Sequence, residues 1–131
     1  MRISCIQLCS GPNIKKNLNL TKKLILKAIK NKSDFIVTPE TSSLFGLNKK
    51  ELLKKTTTME KDFYLLGIKK IAQEYKKWIL VGSVLIKVNN KIKNRSVLIN
   101  PQGLVHEYYD KIHMFDEKLS KKENYFESKT F

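Results

Sequence analysis

The sequence predicts an α/β fold built on one mixed sheet. Two short apolar segments flank an amphipathic helical segment, the strand–helix–strand order of a parallel βαβ unit. A second long helical segment then leads into three strand-like segments joined by tight turns, the order of antiparallel neighbours. The chain has 131 residues, 41% hydrophobic and 29% charged, which is enough to bury one core.

Residues Arg2 to Cys9 mix β-favouring and apolar types and then meet Gly11-Pro12, which predicts a first strand and a break. From Asn13 to Asn31 the apolar residues Ile14, Leu18, Ile25, Ala28 and Ile29 recur at helical spacing between lysines, giving one face for a sheet. Asp34 to Thr38 is a short continuous apolar strand. Asn48 with Glu51 three residues on is a capping-box pattern, opening a short helix through Lys55. A longer helix is expected from about Met59 to Lys77, with Tyr64, Ile68, Ile71, Ala72 and Tyr75 as its inner stripe. Trp78 to Val88 is strand-like; Asn89-Asn90 tolerates positive φ and turns the chain into Lys91–Ile99. Asn100-Pro-Gln-Gly103 reads as a type I turn into a last strand over Leu104–Tyr109. Glu117 to Asn124 is almost wholly polar and reads as an exposed loop.

Bulk composition excludes several functions. No apolar run approaches the ~20 residues needed to span a bilayer, and the start lacks the apolar block of a secretory signal, so the expectation is a cytoplasmic protein with no membrane partner. Cys5 and Cys9 are too few for a disulfide framework and are expected to be small buried apolar residues on the first strand. No Cys/His cluster suggests a zinc site. The net charge of +14 raises nucleic acid as a partner, but all but two of the 26 basic residues are lysines. Guanidinium forks, which base edges and phosphates select, are nearly absent, so specific nucleic-acid binding is not expected.

Two strand ends carry candidate chemistry. Functional groups in open α/β sheets gather at the carboxyl ends of parallel strands, and Glu40 follows directly on Phe35-Ile-Val-Thr-Pro. A carboxylate there suits proton transfer. On position alone, a helix cap or a solvated turn acid accounts for Glu40 equally well. Lys111 follows the last strand, with Asp110 and Asp116 nearby to keep it charged. A fixed ammonium suits the negative oxygen of a tetrahedral intermediate, although on its own Lys111 is one lysine among many.

Three motifs together resemble the nitrilase (carbon–nitrogen hydrolase) superfamily. Tyr109-Asp-Lys-Ile-His-Met-Phe-Asp116 is similar to its lysine motif, Phe35-Ile-Val-Thr-Pro-Glu40 to its glutamate motif, and Tyr125-Phe-Glu127-Ser to its second acidic segment. The opening Ile3-Ser-Cys-Ile-Gln-Leu resembles the first strand of the family. Nit-type amidases acting on ω-amides or deaminated glutathione are the most similar subgroup. The resemblance implies an αββα sandwich, of which this chain would supply the N-terminal half: one mixed sheet with helices on its outer face. It implies catalytic roles for Glu40 as general base, Lys111 as oxyanion holder and Glu127 as a second acid. His113 and Asp116 would shape the loop.

The implied reaction is hydrolysis of a small amide or nitrile through a cysteine thioester, without metal or organic cofactor. The family places its cysteine after the second glutamate. Residues 1–131 would therefore form a partial hydrolase domain, truncated before the nucleophile strand and inactive alone. Cys9, near the end of the first strand, falls where the family has a packing residue. The inner sheet face would then expose an apolar patch, favouring self-association, and family members form homo-oligomers. The alternatives are a non-catalytic interaction module using that face and, behind it, a basic nucleic-acid binder.

Overall fold

A mixed five-stranded sheet in the order β1-β2-β3-β4-β5 organises the molecule. In the computed structural model, residues 1–114, 116–118, 124–126 and 128 are described. The elements run β1 (Ile3–Cys5), α1 (Ile14–Lys30), β2 (Phe35–Thr38), α2 (Lys49–Lys55), α3 (Phe63–Tyr75), β3 (Trp78–Val88), β4 (Lys91–Ile99), β5 (Val105–Asp110), β6 (Asp116–Lys118) and β7 (Asn124–Phe126). β1, β2 and β3 are parallel; β3, β4 and β5 are antiparallel. The expected α/β class and mixed sheet are therefore present.

Local chemistry sets the helix limits. The Asn13 side chain caps α1 by accepting the Lys16 N–H, and the cap at its other end is Asn31. The Asn48–Glu51 capping box is formed in both directions at α2. α3 is shorter than its periodicity predicts. It begins only after Asp62, whose carboxylate accepts the Leu65 N–H at 2.8 Å, and it stops where Lys76 turns left-handed. Tyr75, expected inside, is exposed.

α1 and α3 lie on one face of the sheet. Leu18, Ile25, Ile68 and Ile71 pack there with Ile36, Ile79, Val81, Val97 and Ile99. Each fully buried aliphatic side chain contributes roughly 1.5–3 kcal/mol. Tyr64 is completely buried in this layer and its hydroxyl meets the Thr21 hydroxyl at 2.8 Å. A second, smaller cluster of Leu44, Leu52, Leu85 and Ile92 fixes the segment after β2 against the β3–β4 hairpin. Phe35, Val37, Trp78, Leu80 and Leu98 alternate with the core residues along their strands and are only half-buried.

β1 is shorter than expected because the chain leaves the sheet early. The Gly11 N–H and C=O bond the Asn17 side chain at 3.1 and 2.8 Å, drawing this stretch toward α1. Cys9 is thus outside the strand, and Cys5 pairs with Val37 on the half-buried face; both cysteines are exposed free thiols, contrary to expectation. Asn89 and Asn90 turn the β3–β4 hairpin at φ 47° and 60°. Part of the expected polar loop is strand: β6 pairs antiparallel with β7 over Asp116–Lys118 and Asn124–Phe126. Among the described residues, no helix is long and apolar enough to cross a membrane.

Gly103 closes the β4–β5 turn at φ +74°, and a Cβ there would stand 2.7 Å from the Lys69 carbonyl oxygen of α3. Gly103→Ala is expected to cost about 1–3 kcal/mol in urea unfolding, whereas Gly11→Ala, with nothing within 4 Å, should be close to neutral. Burial pushes the Tyr64 hydroxyl up from 10.0 to about 12. The unfolded chain therefore loses this proton first, and stability falls as pH rises from 10.0 to about 12. Tyr64→Phe should flatten that alkaline limb of the unfolding midpoint.

Candidate active site

β2 delivers Glu40 to the carboxyl edge of the parallel strands through Thr38 and Pro39. The next residue, Thr41, has φ 48°, an unusual conformation for a β-branched side chain. β3 holds it there. Ser83 N–H donates to the Pro39 carbonyl at 2.8 Å, Ser42 N–H donates to the Ser83 carbonyl at 2.8 Å, and Thr41 N–H donates to Ser83 Oγ at 3.1 Å. These bonds are possible because β3 carries a β-bulge between Val81 and Val84. In a regular strand Ser83 would share the helix-facing side with Ile79 and Val81. The extra residue turns it to the opposite side, toward Glu40.

β4 and β5 bring Lys111 to the same place. Asn94 of β4 accepts the Lys111 backbone N–H at 2.9 Å, just past the end of β5. The Lys111 ammonium then reaches Glu40 Oε1 at 2.8 Å. Asn94 Nδ2 donates to the same oxygen, also at 2.8 Å. The pair is partly open to solvent, with side-chain exposures of 28% for Lys111 and 53% for Glu40. Residues 71 positions apart in sequence therefore form one acid–amine site.

Asp110, expected beside Lys111 as a counter-charge, is engaged elsewhere. It forms a two-pronged pair with Arg95, Nε to Oδ1 at 2.6 Å and Nη2 to Oδ2 at 3.0 Å. Arg95 and Asp110 are direct cross-strand partners, and the guanidinium stacks 4.0 Å from the Tyr108 ring centre. This pair pins the end of β5 and so aims Lys111. His113 is exposed, and Glu127 lies outside the described residues. Neither Asn94 nor Ser83 stands out in the sequence as a site residue. The available signals are a Gly-Ser step inside an apolar strand and an asparagine at an inward position of β4. Among the described residues, no cluster of His, Cys, Asp or Glu is arranged to hold a metal.

A fixed carboxylate bonded to an ammonium at a sheet edge is suited to moving a proton and holding a developing negative oxygen. Comparison with known proteins gives this geometry a context. The carbon-nitrogen hydrolase family model matches residues 2–131. A deaminated glutathione amidase of Yersinia enterocolitica is 31% identical over 117 residues, covering 87% of this chain and 40% of the relative. One from Synechocystis sp. is 29% identical over 133 residues, covering 97% of this chain and 47% of the relative. The solved structure of the Caenorhabditis elegans NitFhit protein superposes with a TM-score of 0.82 at 26% identity, over 96% of this chain and 31% of that one. An amidase from Nesterenkonia sp. shares the fold, with a TM-score of 0.74 at 20% identity over 88% of this chain and 44% of that one. The chain thus spans less than half the length of these relatives.

The Arg95 hydrogen bonds hold the Asp110 carboxyl below its usual 3.8, against the opposing effect of burial. Its contribution to stability is present above 3.8 and is lost as pH falls below it. In urea unfolding followed from pH 6 to 2 (about the carboxylate range), Asp110→Asn should be less stable at the upper end and flatter toward the lower. A parallel profile would contradict the assigned pairing.

Proposed function

The chain belongs to the carbon–nitrogen hydrolase family, and from that premise we propose that Glu40 and Lys111 belong to an amide-hydrolysing site. The 2.8 Å contact between the Lys111 ammonium and Glu40 Oε1 carries the proposal. In it, Glu40 takes the proton of a cysteine thiol as the sulfur attacks the amide carbon. Lys111 faces the oxygen that becomes negative. The carbon–nitrogen bond then breaks, Glu40 passes the proton to the leaving ammonia or amine, and water hydrolyses the thioester with Glu40 again as base. Glu127 is assigned as the second acid of the site by the motif Tyr125-Phe-Glu127.

The nucleophile in this scheme comes from sequence outside residues 1–131, as the partial coverage of the relatives suggests. Cys9 lies outside β1 and Cys5 lies on the half-buried sheet face, so neither is assigned the role. The names of the Yersinia and Synechocystis relatives favour a small linear amide as substrate. Two exposed free thiols suit a reducing compartment, which supports a cytoplasmic location.

Ammonia release from small linear amides, with the cysteine-bearing half of a Nit-type amidase supplied in trans, tests the assignment. Activity is expected, and Lys111→Ala and Glu40→Gln should each lower it by about 10²-fold or more. Undiminished turnover by Lys111→Ala would refute the role given to that residue.

A further inference from the structure

We propose that Asn94 is a positioning residue for the Glu40 carboxylate and that Ser83 sets its orientation; this rests on the reading of Glu40 as the proton acceptor. Asn94 is only 2% exposed, in a strand whose neighbouring inward positions are mostly apolar. A buried amide is costly unless its polar atoms are bonded, and here both ends of the side chain have partners. Ser83 Oγ already accepts the Thr41 N–H, so its own hydrogen is free to go to Asn94 Oδ1. With its oxygen engaged there, Asn94 turns Nδ2 toward Glu40 Oε1, which as a carboxylate oxygen only accepts. The orientation of the amide is therefore set from both sides.

The consequence for chemistry lies in which oxygen is held. Asn94 Nδ2 and Lys111 Nζ both reach Oε1, each at 2.8 Å. That leaves Oε2 as the oxygen assigned to accept the transferred proton. Lys111 is the group assigned to the substrate oxygen, so the carboxylate needs an anchor besides that ammonium. Asn94 is neutral, buried and bonded at both ends of its amide, so it holds the carboxylate independently of Lys111. Its backbone carbonyl also anchors the Lys111 N–H at 2.9 Å, so one residue sets the spacing of both partners. A misplacement of about 1 Å in such a site lowers turnover by about 10²-fold.

The test uses Asn94→Ala, the isosteric Asn94→Asp, Ser83→Ala and Ser83→Thr in two measurements. In amide hydrolysis with the second half supplied, Asn94→Ala and Asn94→Asp are expected to lower kcat by about 10²-fold with KM changed less than about threefold. Ser83→Ala should fall between parent and Asn94→Ala, and Ser83→Thr, which keeps the hydroxyl, should recover toward the parent. In side-chain 1H–15N spectra of the 131-residue chain, the Asn94 amide pair, assigned by its loss in Asn94→Asp, should shift in Glu40→Ala and in Ser83→Ala. Parent-like kcat in Asn94→Ala, or Asn94 resonances indifferent to Glu40→Ala, would overturn the proposal. If the parent hydrolyses no amide, the assigned reaction fails, and the spectra alone decide whether Asn94 holds Glu40.

Discussion

The site depends on the two hydrogen bonds that meet at Glu40 Oε1, one from Asn94 and one from Lys111. The three residues come from the end of β2, the middle of β4 and the segment after β5. They meet only if the parallel β2–β3 register and the antiparallel β3–β4 and β4–β5 registers are all correct. A one-residue slip in any of them would turn side chains to the opposite face and separate the carboxylate from the ammonium. The bulge at Gly82-Ser83 is such a one-residue shift, placed where it presents Ser83 to the site rather than to the helices.

Stability and the geometry of the candidate site have different sources in this chain. The α1–α3 layer and the helix-facing side of the sheet bury the aliphatic core that holds the fold. The Lys111–Glu40 pair is open to water and contributes little to stability, as exposed ion pairs generally do. Its arrangement is imposed by groups around it: the buried Asn94, Ser83 and Arg95, the last through its pair with the half-buried Asp110. A partly exposed charged pair is thus held by side chains that are themselves mostly buried.

Features written in adjacent residues were legible from sequence. Asn13 and Asn31 bound α1, Asn48 and Glu51 form the capping box, and Asn89-Asn90 makes the hairpin turn. Glu40 and Lys111 stood out as candidates because each follows a strand within a recognisable motif, and their side chains do meet. Features that depend on distant partners were not. The choice of Arg95 rather than Lys111 as the partner of Asp110 is set by cross-strand register, which composition does not reveal. The exposure of Cys5 follows from which sheet face it occupies, and the early end of β1 from the competing bonds to Asn17. Ser83 and Asn94 escaped notice because each looks like an ordinary polar strand residue until the bulge sets the pleat.

The most direct measurement is a double-mutant cycle between Glu40 and Asn94, using Glu40→Ala, Asn94→Ala and the double variant in urea unfolding at neutral pH. A hydrogen bond from a buried amide to a carboxylate should appear as a coupling energy of about 1 kcal/mol or more. Additive effects of the two substitutions would mean that the amide does not hold the carboxylate, and would contradict the site described here.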